Sequence, residues 1–481
     1  MKNNNTMMMD LYELTMAQTY FNEGKSHEEV CFDGFFRTIP FEGGYALMGG
    51  VDEVIDYIKN LHFTEEDIEE LRGEGLFTEE FLKYLSNFRF TGDIYMVEDG
   101  TPIFGNEPIL TVKAPLIEAQ IIETTLLSFL NATILFTTAA KRMTEAAGDI
   151  PIMEFGARRA NGPEAAILAS KYSIIGGCVG TSNILAGKQN KIPKMGTMAH
   201  SFVMEYPTEY DAFLSYAKTF PNHAVFLVDT YDTLKSGIPN AIRVAKEFLI
   251  PGGYTLKGIR IDSGDLAFLS KETRKLLDEA GLYDTKICVS NGLTPETIRS
   301  LKQQGAVIDS IGAGDNIAAP KERVGCVYKL VEKDGIPTIK VSEDAVKTIN
   351  PGYKKVYRFY DKKTGYALGD VLALQDEIIP KNTFTLMDPN NTLNQKEIKD
   401  YFIRELQVPI FKKGKCVYQN KSVLERREYC NQQMGTLYPE IKRDIKPHQY
   451  YVDLTMKLLT LKKEMLQNYK EDLKNKVYQK V

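Results

Sequence analysis

The sequence predicts an α/β fold: an irregular α/β barrel preceded by an α+β domain and followed by a β-rich, then helical, segment. Three observations between Ala224 and Ile317 carry this expectation. Four short apolar runs each end in a polar, glycine-bearing tip: FLVDTYDT (226–233), GIRIDSGD (258–265), ICVSNG (287–292) and IDSIGAGD (308–315). The intervening segments carry helix punctuation. Thr294-Pro295 reads as an N-cap with Pro at the first helical position, Gly305 as the stop, and Ser270 to Gly281 as a second helix. The tips recur about every 24–33 residues, the size of a βα unit. Parallel strands built this way deliver their polar ends to one face, which in barrels is the functional face.

Residues 1–148 form the expected N-terminal domain. Asp10–Asn22 reads as a helix and Val30–Ile39 as a strand, and Asp52–Asn87 holds three helices, two of them opened by Thr-Glu-Glu caps at Thr64 and Thr78. Thr91–Val112 reads as strands joined by turns at Asp99-Gly100 and Gly105-Asn106. A long helix from about Leu116 to Ala147 closes the domain. Its longest uncharged run, Thr124–Ala140, has seven Thr, Ser or Asn among seventeen residues and falls short of a bilayer span, which predicts a core helix. Residues 149–345 form the barrel, opening with a strand before Arg158-Arg159 and a helix start at Gly162-Pro163. GGCVGTSNILAGK repeats strand, small-residue tip and helix, and GTMAHS follows. Residues 346–481 follow as a β-then-helix segment with a basic amphipathic finish from Leu454. Hairpin signals fall at Asp334-Gly335 and Thr364-Gly365.

Composition narrows the class. With 481 residues, 43% hydrophobic and 26% charged, the chain can bury several cores. A net charge of −5 leaves no global basic footprint, so nucleic acid is not an expected partner. The six scattered cysteines form no CxxC pair, which predicts reduced thiols and a cytoplasmic setting. Cys416 and Cys430 lack the ligands for a structural zinc. MKNNNTMMMD carries no apolar signal-peptide core, and neither a membrane span nor a membrane partner is expected.

The chemistry-bearing residues cluster at the tips. Asp262 and Asp265 flank a glycine at a strand end, placing two carboxylates where a divalent cation or the hydroxyls of a ribose could be held. An Asx cap on the next helix is the open alternative for either one. Asp229 and Asp232 repeat the pattern. IGAGD, with Gly312, Gly314 and Asp315, has the form of a phosphate-cradling loop. Arg158 and Arg159 precede a helix start and form a candidate anion site, with an ion pair to Glu154 or Glu164 as the structural alternative. Arg260 leaves the same strand as Asp262 and calls for a ligand or a carboxylate partner. His200, among small polar neighbours, is a candidate nucleophile or base. Tyr12 reads by default as helix packing.

Taken in order, DLYELTM, EFGARRANGPEAA, GTSNILAGK, GTMAHSFV, FLVDTYDT, GIRIDSGDL and SNGL…IGAGD strongly resemble the motifs of the nicotinate phosphoribosyltransferase family, over about Asp10 to Ile317. The resemblance implies a type II phosphoribosyltransferase fold. It implies transfer of the phosphoribosyl group of 5-phosphoribosyl-1-pyrophosphate to nicotinate, with Mg²⁺ present and ATP as co-substrate through a phosphohistidine at His200. Tyr12, Arg158, Thr197 and Arg260 would hold nicotinate or the pyrophosphate, and Asp262 and Asp265 the ribose and metal. Gly292, Gly312, Gly314 and Asp315 would hold the 5′-phosphate. Thr181 and Ser182 stand where the related nicotinamide enzyme is understood to use an acid, and their hydroxyls favour a carboxylate substrate. A homodimer sharing its active site is typical of such enzymes. The alternatives are a nicotinamide or quinolinate phosphoribosyltransferase, a sugar-phosphate isomerase or aldolase on the same barrel, and a non-catalytic nucleotide-binding protein.

Overall fold

Strand pairing ties the two ends of the chain together. Glu29–Phe35 is buried at every residue after the first, as expected of a strand covered on both faces. It pairs antiparallel with Leu110–Pro115 on one side and with Val327–Lys333 on the other. The computed structural model describes residues 4–342, 348–387, 393 and 395–478, and it separates into two compact units. One comprises Met1–Leu135, Glu322–Lys421 and Tyr429–Val481; the other comprises Phe136–Lys321 and Ser422–Glu428. The expectation of three consecutive segments differs from this division, and its boundary at 345 lies outside the described residues. Val327–Lys333, assigned from sequence to the barrel segment, joins the first unit because its hydrogen bonds go to Glu29–Phe35.

The first unit is built on a seven-stranded sheet. Its order is Ile336–Pro337, Val327–Lys333, Glu29–Phe35, Leu110–Pro115, Asp93–Val97, Gln407–Lys412 and Lys415–Cys416. A four-stranded sheet runs Tyr401–Glu405, Lys354–Asp361, Ala367–Leu374 and Val452–Leu454. The Asp334-Gly335 hairpin forms with both residues at positive φ. Thr64 and Thr78 cap their helices as expected, Thr64 through a complete capping box with Asp67. Two buried ion pairs lie in this unit, Lys354 with Asp33 at 2.8 Å and Arg358 with Asp370. Arg358 and Asp370, both fully buried, meet at 2.6 Å, and the Tyr450 hydroxyl donates to Asp370 at 2.9 Å. The long helix is interrupted once, giving Leu116–Gln120 and Glu123–Ala147. Leu116–Ala147 is long and apolar enough to cross a membrane, yet more than half of its most apolar window is buried in protein. Ile117, Ile121, Leu126, Leu130 and Ile134 sit in the first unit's core at 0% exposure. The basic C-terminal helix spans Met456–Tyr478; the last three residues of that expected element lie outside the described residues.

The second unit is the βα array. Six parallel strands run in the order Gly180–Thr181, Ile152–Glu154, Ser310–Ala313, Lys286–Ser290, Gly258–Ile261 and Val225–Leu227. The outermost two are not paired with each other, so the hydrogen-bonded ring stays open among the described residues. Thr294 caps Pro295–Gln303 through a capping box. The preceding helix begins earlier than Ser270. It spans Leu266–Glu279, with Asp265 as its cap, and Ser270 is buried within it, accepting the Val307 N–H at 3.1 Å. Two π-type turns, Thr233–Gly237 and Ala245–Leu249, flank the helix Ile238–Val244. The first brings Gly237 so close to the Val228 carbonyl that a Cβ there would lie 1.8 Å from its oxygen.

One buried acid in the first unit makes its stability depend on pH. Glu13 is fully buried; its Oε1 accepts from the Thr124 N–H at 3.0 Å and from the Thr124 hydroxyl, while Oε2 has no partner among the described residues. Burial pushes its carboxyl up to about 7, opposed by the Thr124 bonds and reinforced by Glu123 and Asp10. The folded state therefore keeps a proton that the unfolded chain releases near its ordinary value of 4.5. The stability this proton confers is lost as pH rises from there through 7. Glu13→Gln is expected to gain on the native chain across that window, reaching about 2–3 kcal/mol above pH 7. Urea unfolding from pH 4.5 to 8 measures this, and a constant difference would refute the linkage.

Candidate active site

Parallel register brings the tips of the second unit together. Ser290 pairs with Gly312, Cys288 with Arg260, Leu227 with Arg260, and Ala313 with Glu154. Residues far apart in sequence thereby end at one rim. Arg260, with 12% of its side chain exposed, is held at each nitrogen. Its Nη2 donates to Asp262 Oδ1 at 2.9 Å, Nε to Ser290 Oγ at 2.8 Å and Nη1 to Thr197 Oγ1 at 3.3 Å. Its guanidinium lies over the Phe155 ring, 5.6 Å from the centroid. The carboxylate expected as its partner is thus Asp262.

His200 opens the short helix His200–Met204. Its Nδ1 is 3.1 Å from Thr230 Oγ1 and its Nε2 is 3.8 Å from Asp262 Oδ2. In the tautomer that donates from Nδ1 to Thr230, Nε2 carries the lone pair and stands beside the carboxylate. Two-fifths of the ring side chain is exposed, so a substrate can reach it.

The aspartates divide by task. Asp265 Oδ1 accepts the Phe268 N–H at 3.0 Å as the helix cap, which is the Asx alternative. Asp232 likewise caps the turn that follows it, accepting from Leu234 and Lys235. Asp229 Oδ2 accepts the Asp262 N–H at 3.0 Å and the Ser263 hydroxyl at 2.5 Å, and its Oδ1 is buried without a partner among the described residues. Among the described residues no group of three or more His, Cys, Asp or Glu is arranged to hold a metal ion. Asp229 Oδ1 and Asp262 Oδ2 are oxygen donors of the kind a Mg²⁺ shared with substrate phosphates takes, and Asp265 uses one carboxylate oxygen for its cap and keeps the other.

The arginine and glycine loops touch. A Cβ on Gly156 would lie 2.7 Å from the Gly314 carbonyl oxygen, and one on Gly312 would lie 2.7 Å from the Phe155 ring, so both glycines make room for close contact. Arg159 Nε meets Asp315 Oδ1 at 3.0 Å, in place of the expected ion pair with Glu154 or Glu164. Asp315 is therefore an acid occupied by an arginine, and only the backbone of this loop is left to face a phosphate. Arg158 is exposed and has no hydrogen-bond or ion-pair partner among the described residues. Gly292, at φ +59°, follows Asn291 at φ 94° in a turn beyond the Lys286–Ser290 strand, with open space around it.

Thr181 corrects an expectation. It is fully buried; its hydroxyl donates to Glu154 Oε2 at 2.5 Å and accepts the Asn183 N–H at 3.0 Å, so it has no donor left for a ligand. Ser182, half-buried, retains its hydroxyl. Glu154, at 0% exposure, also accepts the Gly156 N–H and binds the two tips together. Phe155, Thr230 and Ser290 are not singled out by the sequence, and Glu154 only as a partner for the arginines. Only the strand-tip position of Ser290 signalled it; the others act through partners on neighbouring strands.

Tyr12 belongs to the first unit. It lies in the first turn of the helix Leu11–Asn22 and is 43% exposed, so it does not pack into a core as its helix position suggested. Burial and the nearby Glu123 push its phenol up to about 12. The first unit also holds a cavity of about 820 Å³. Arg37, Lys354 and Lys462 line it alongside Asp33, Glu42 and Asp453, so its fixed charges balance and favour no ligand of one sign.

Asp265→Ser keeps a capping oxygen and removes the charge. It is expected to unfold in urea within about 0.5 kcal/mol of the native chain, while Asp265→Ala loses about 1 kcal/mol. Equal losses in both would show that the charge, and not the cap, is what Asp265 contributes.

Comparison with known proteins places these features in context. The profile of the nicotinate phosphoribosyltransferase N-terminal domain matches residues 7–131, that of the nicotinate phosphoribosyltransferase family residues 150–363, and that of its C-terminal domain residues 353–462. A Bacillus subtilis nicotinate phosphoribosyltransferase is 43% identical over 453 residues, covering 93% of this chain and 92% of the relative. The mouse protein of that name is 31% identical, covering 95% of each. The crystal structure of human nicotinic acid phosphoribosyltransferase superposes with a TM-score of 0.86 at 28% identity, over 95% of this chain and 99% of that one. A nicotinate-nucleotide pyrophosphorylase from Pyrococcus furiosus shares the fold, with a TM-score of 0.70 at 21% identity over 90% and 96% of the two chains.

Proposed function

The chain belongs to the nicotinate phosphoribosyltransferase family, and from that premise we propose how its strand-tip residues carry out the reaction. The enzyme joins nicotinate to the phosphoribosyl group of 5-phosphoribosyl-1-pyrophosphate, giving nicotinate mononucleotide and pyrophosphate in the salvage route to NAD. The ring nitrogen attacks C1 as the bond to pyrophosphate breaks, through a cation-like ribosyl centre. Positioning and charge therefore matter more than covalent help from the protein. The observation that supports the reading is the convergence of Arg260, Asp262 and His200 at one rim.

In this reading Arg158, unpaired and exposed, and the Ser182 hydroxyl take the nicotinate carboxylate. Arg260 and Thr197 hold the ring or the adjacent pyrophosphate, with Phe155 beneath the guanidinium. The backbone of the Gly312–Gly314 loop and Gly292 receive the 5′-phosphate, with Arg159 neutralising Asp315 beside it. Asp229 Oδ1 and Asp262 Oδ2 would hold Mg²⁺, which when bound offsets the charge of the pyrophosphate. Tyr12 would serve a site in a second copy of the chain, in a cytoplasmic homodimer. ATP enters as co-substrate: His200 Nε2 attacks the γ-phosphorus, the bond to ADP breaks, and ADP leaves. The phosphohistidine then adds negative charge beside Asp262 and alters affinity for the pyrophosphate substrate.

The reaction is tested with purified protein, phosphoribosyl pyrophosphate, Mg²⁺ and ATP, offering nicotinate, nicotinamide and quinolinate separately and weighing the products. Nicotinate mononucleotide is expected; preference for another pyridine would overturn the substrate assignment. His200→Ala is expected to lose at least tenfold of the stimulation by ATP while keeping ATP-independent transfer. Native stimulation in that variant would rule out the phosphohistidine.

A further inference from the structure

We propose that Ser290 is a positioning residue for this reaction, fixing Arg260 and Asp262 relative to each other through one hydroxyl. The inference rests on the reading of Arg260 as a substrate contact. Ser290 ends the strand Lys286–Ser290 and is 3% exposed. Its Oγ accepts from Arg260 Nε at 2.8 Å and donates to Asp262 Oδ1. Arg260 Nη2 donates to that same Oδ1 at 2.9 Å, closing a ring of three side chains across two adjacent parallel strands. Among the described residues no other hydroxyl touches both charged groups.

The ring has two consequences. Arg260 has its Nε fixed, so the guanidinium plane cannot turn away from the Phe155 face without breaking a bond to a buried group. Asp262 has Oδ1 saturated twice, which leaves Oδ2 as the oxygen presented toward His200 Nε2 at 3.8 Å. Ser290 thus decides which carboxylate oxygen is available, although it need not touch substrate itself. The local geometry also explains the glycine opposite: a Cβ on Gly312, its register partner, would lie 3.3 Å from Ser290 Cβ and 2.7 Å from the Phe155 ring. Nothing larger than glycine leaves the serine and the ring where they are.

The test is steady-state kinetics of Ser290→Ala, Arg260→Lys and the double variant, with folding checked by thermal melting. Ser290→Ala is expected to raise the nicotinate KM about tenfold with a smaller change in kcat, and Ser290→Thr, which keeps the hydroxyl, to recover to within about threefold. In the Arg260→Lys background, which has already lost the Nε–H, removing the hydroxyl is expected to cost less than about twofold. Full additivity of the two substitutions, or native kinetics in Ser290→Ala beside an impaired Arg260→Lys, would overturn the role of Ser290. Native kinetics in Arg260→Lys alone would instead overturn the reading of Arg260. If Ser290→Ala melts too low to assay, Ser290→Cys, which puts a weak thiol donor in place of the hydroxyl, carries the same comparison in the two arginine backgrounds.

Discussion

In-register parallel pairing is the constraint on which the active site depends. A parallel strand sends its C-terminal end to the same edge as its neighbours', and a shift of one residue would turn every tip side chain to the other face. Cys288 opposite Arg260 and Ser290 opposite Gly312 fix that register here. The charged groups then satisfy one another before any substrate arrives. Arg260, only 12% exposed, would be costly without Asp262, and Asp262 would be costly without its donors. The site is therefore preorganised by its own electrostatics, which suits a reaction whose barrier is lowered by held charges.

The glycines follow from the same crowding. Gly156, Gly312 and Gly314 lie where the arginine loop, the Phe155 ring and the phosphate loop press together; a side chain at Gly156 or Gly314 would press on backbone, and one at Gly312 on the Phe155 ring. Glu154 adds a buried carboxylate whose two oxygens are taken by the Thr181 hydroxyl and the Gly156 N–H. It ties two tips together without facing a cation. Selection for a pyridine carboxylate accordingly falls to Arg158 and Ser182 in this reading, since Thr181 has no free donor.

The first unit shows a different logic. Its sheet is assembled from chain segments separated by nearly three hundred residues, so its stability rests on non-local pairing and on buried ion pairs such as Arg358–Asp370. Glu13, capping Thr124 at the start of the long core helix, is one of several buried acids through which that unit's stability depends on pH.

Local patterns were enough to read from the sequence the βα period, the caps at Thr64, Thr78 and Thr294, the hairpin at Asp334-Gly335 and the ordered motifs of the family. The caps, the hairpin and each strand tip are encoded within about ten residues, by backbone preference or by a side chain reaching its own neighbours. Tertiary structure alone decided which residues share a bond across strands. Arg159 took Asp315 and not Glu154, Thr181 spent its hydroxyl on Glu154, and Ser290 came between Arg260 and Asp262. Val327–Lys333 joined a strand three hundred residues away. Such choices depend on which side chains are brought within about 3 Å, a distance that sequence separation does not contain.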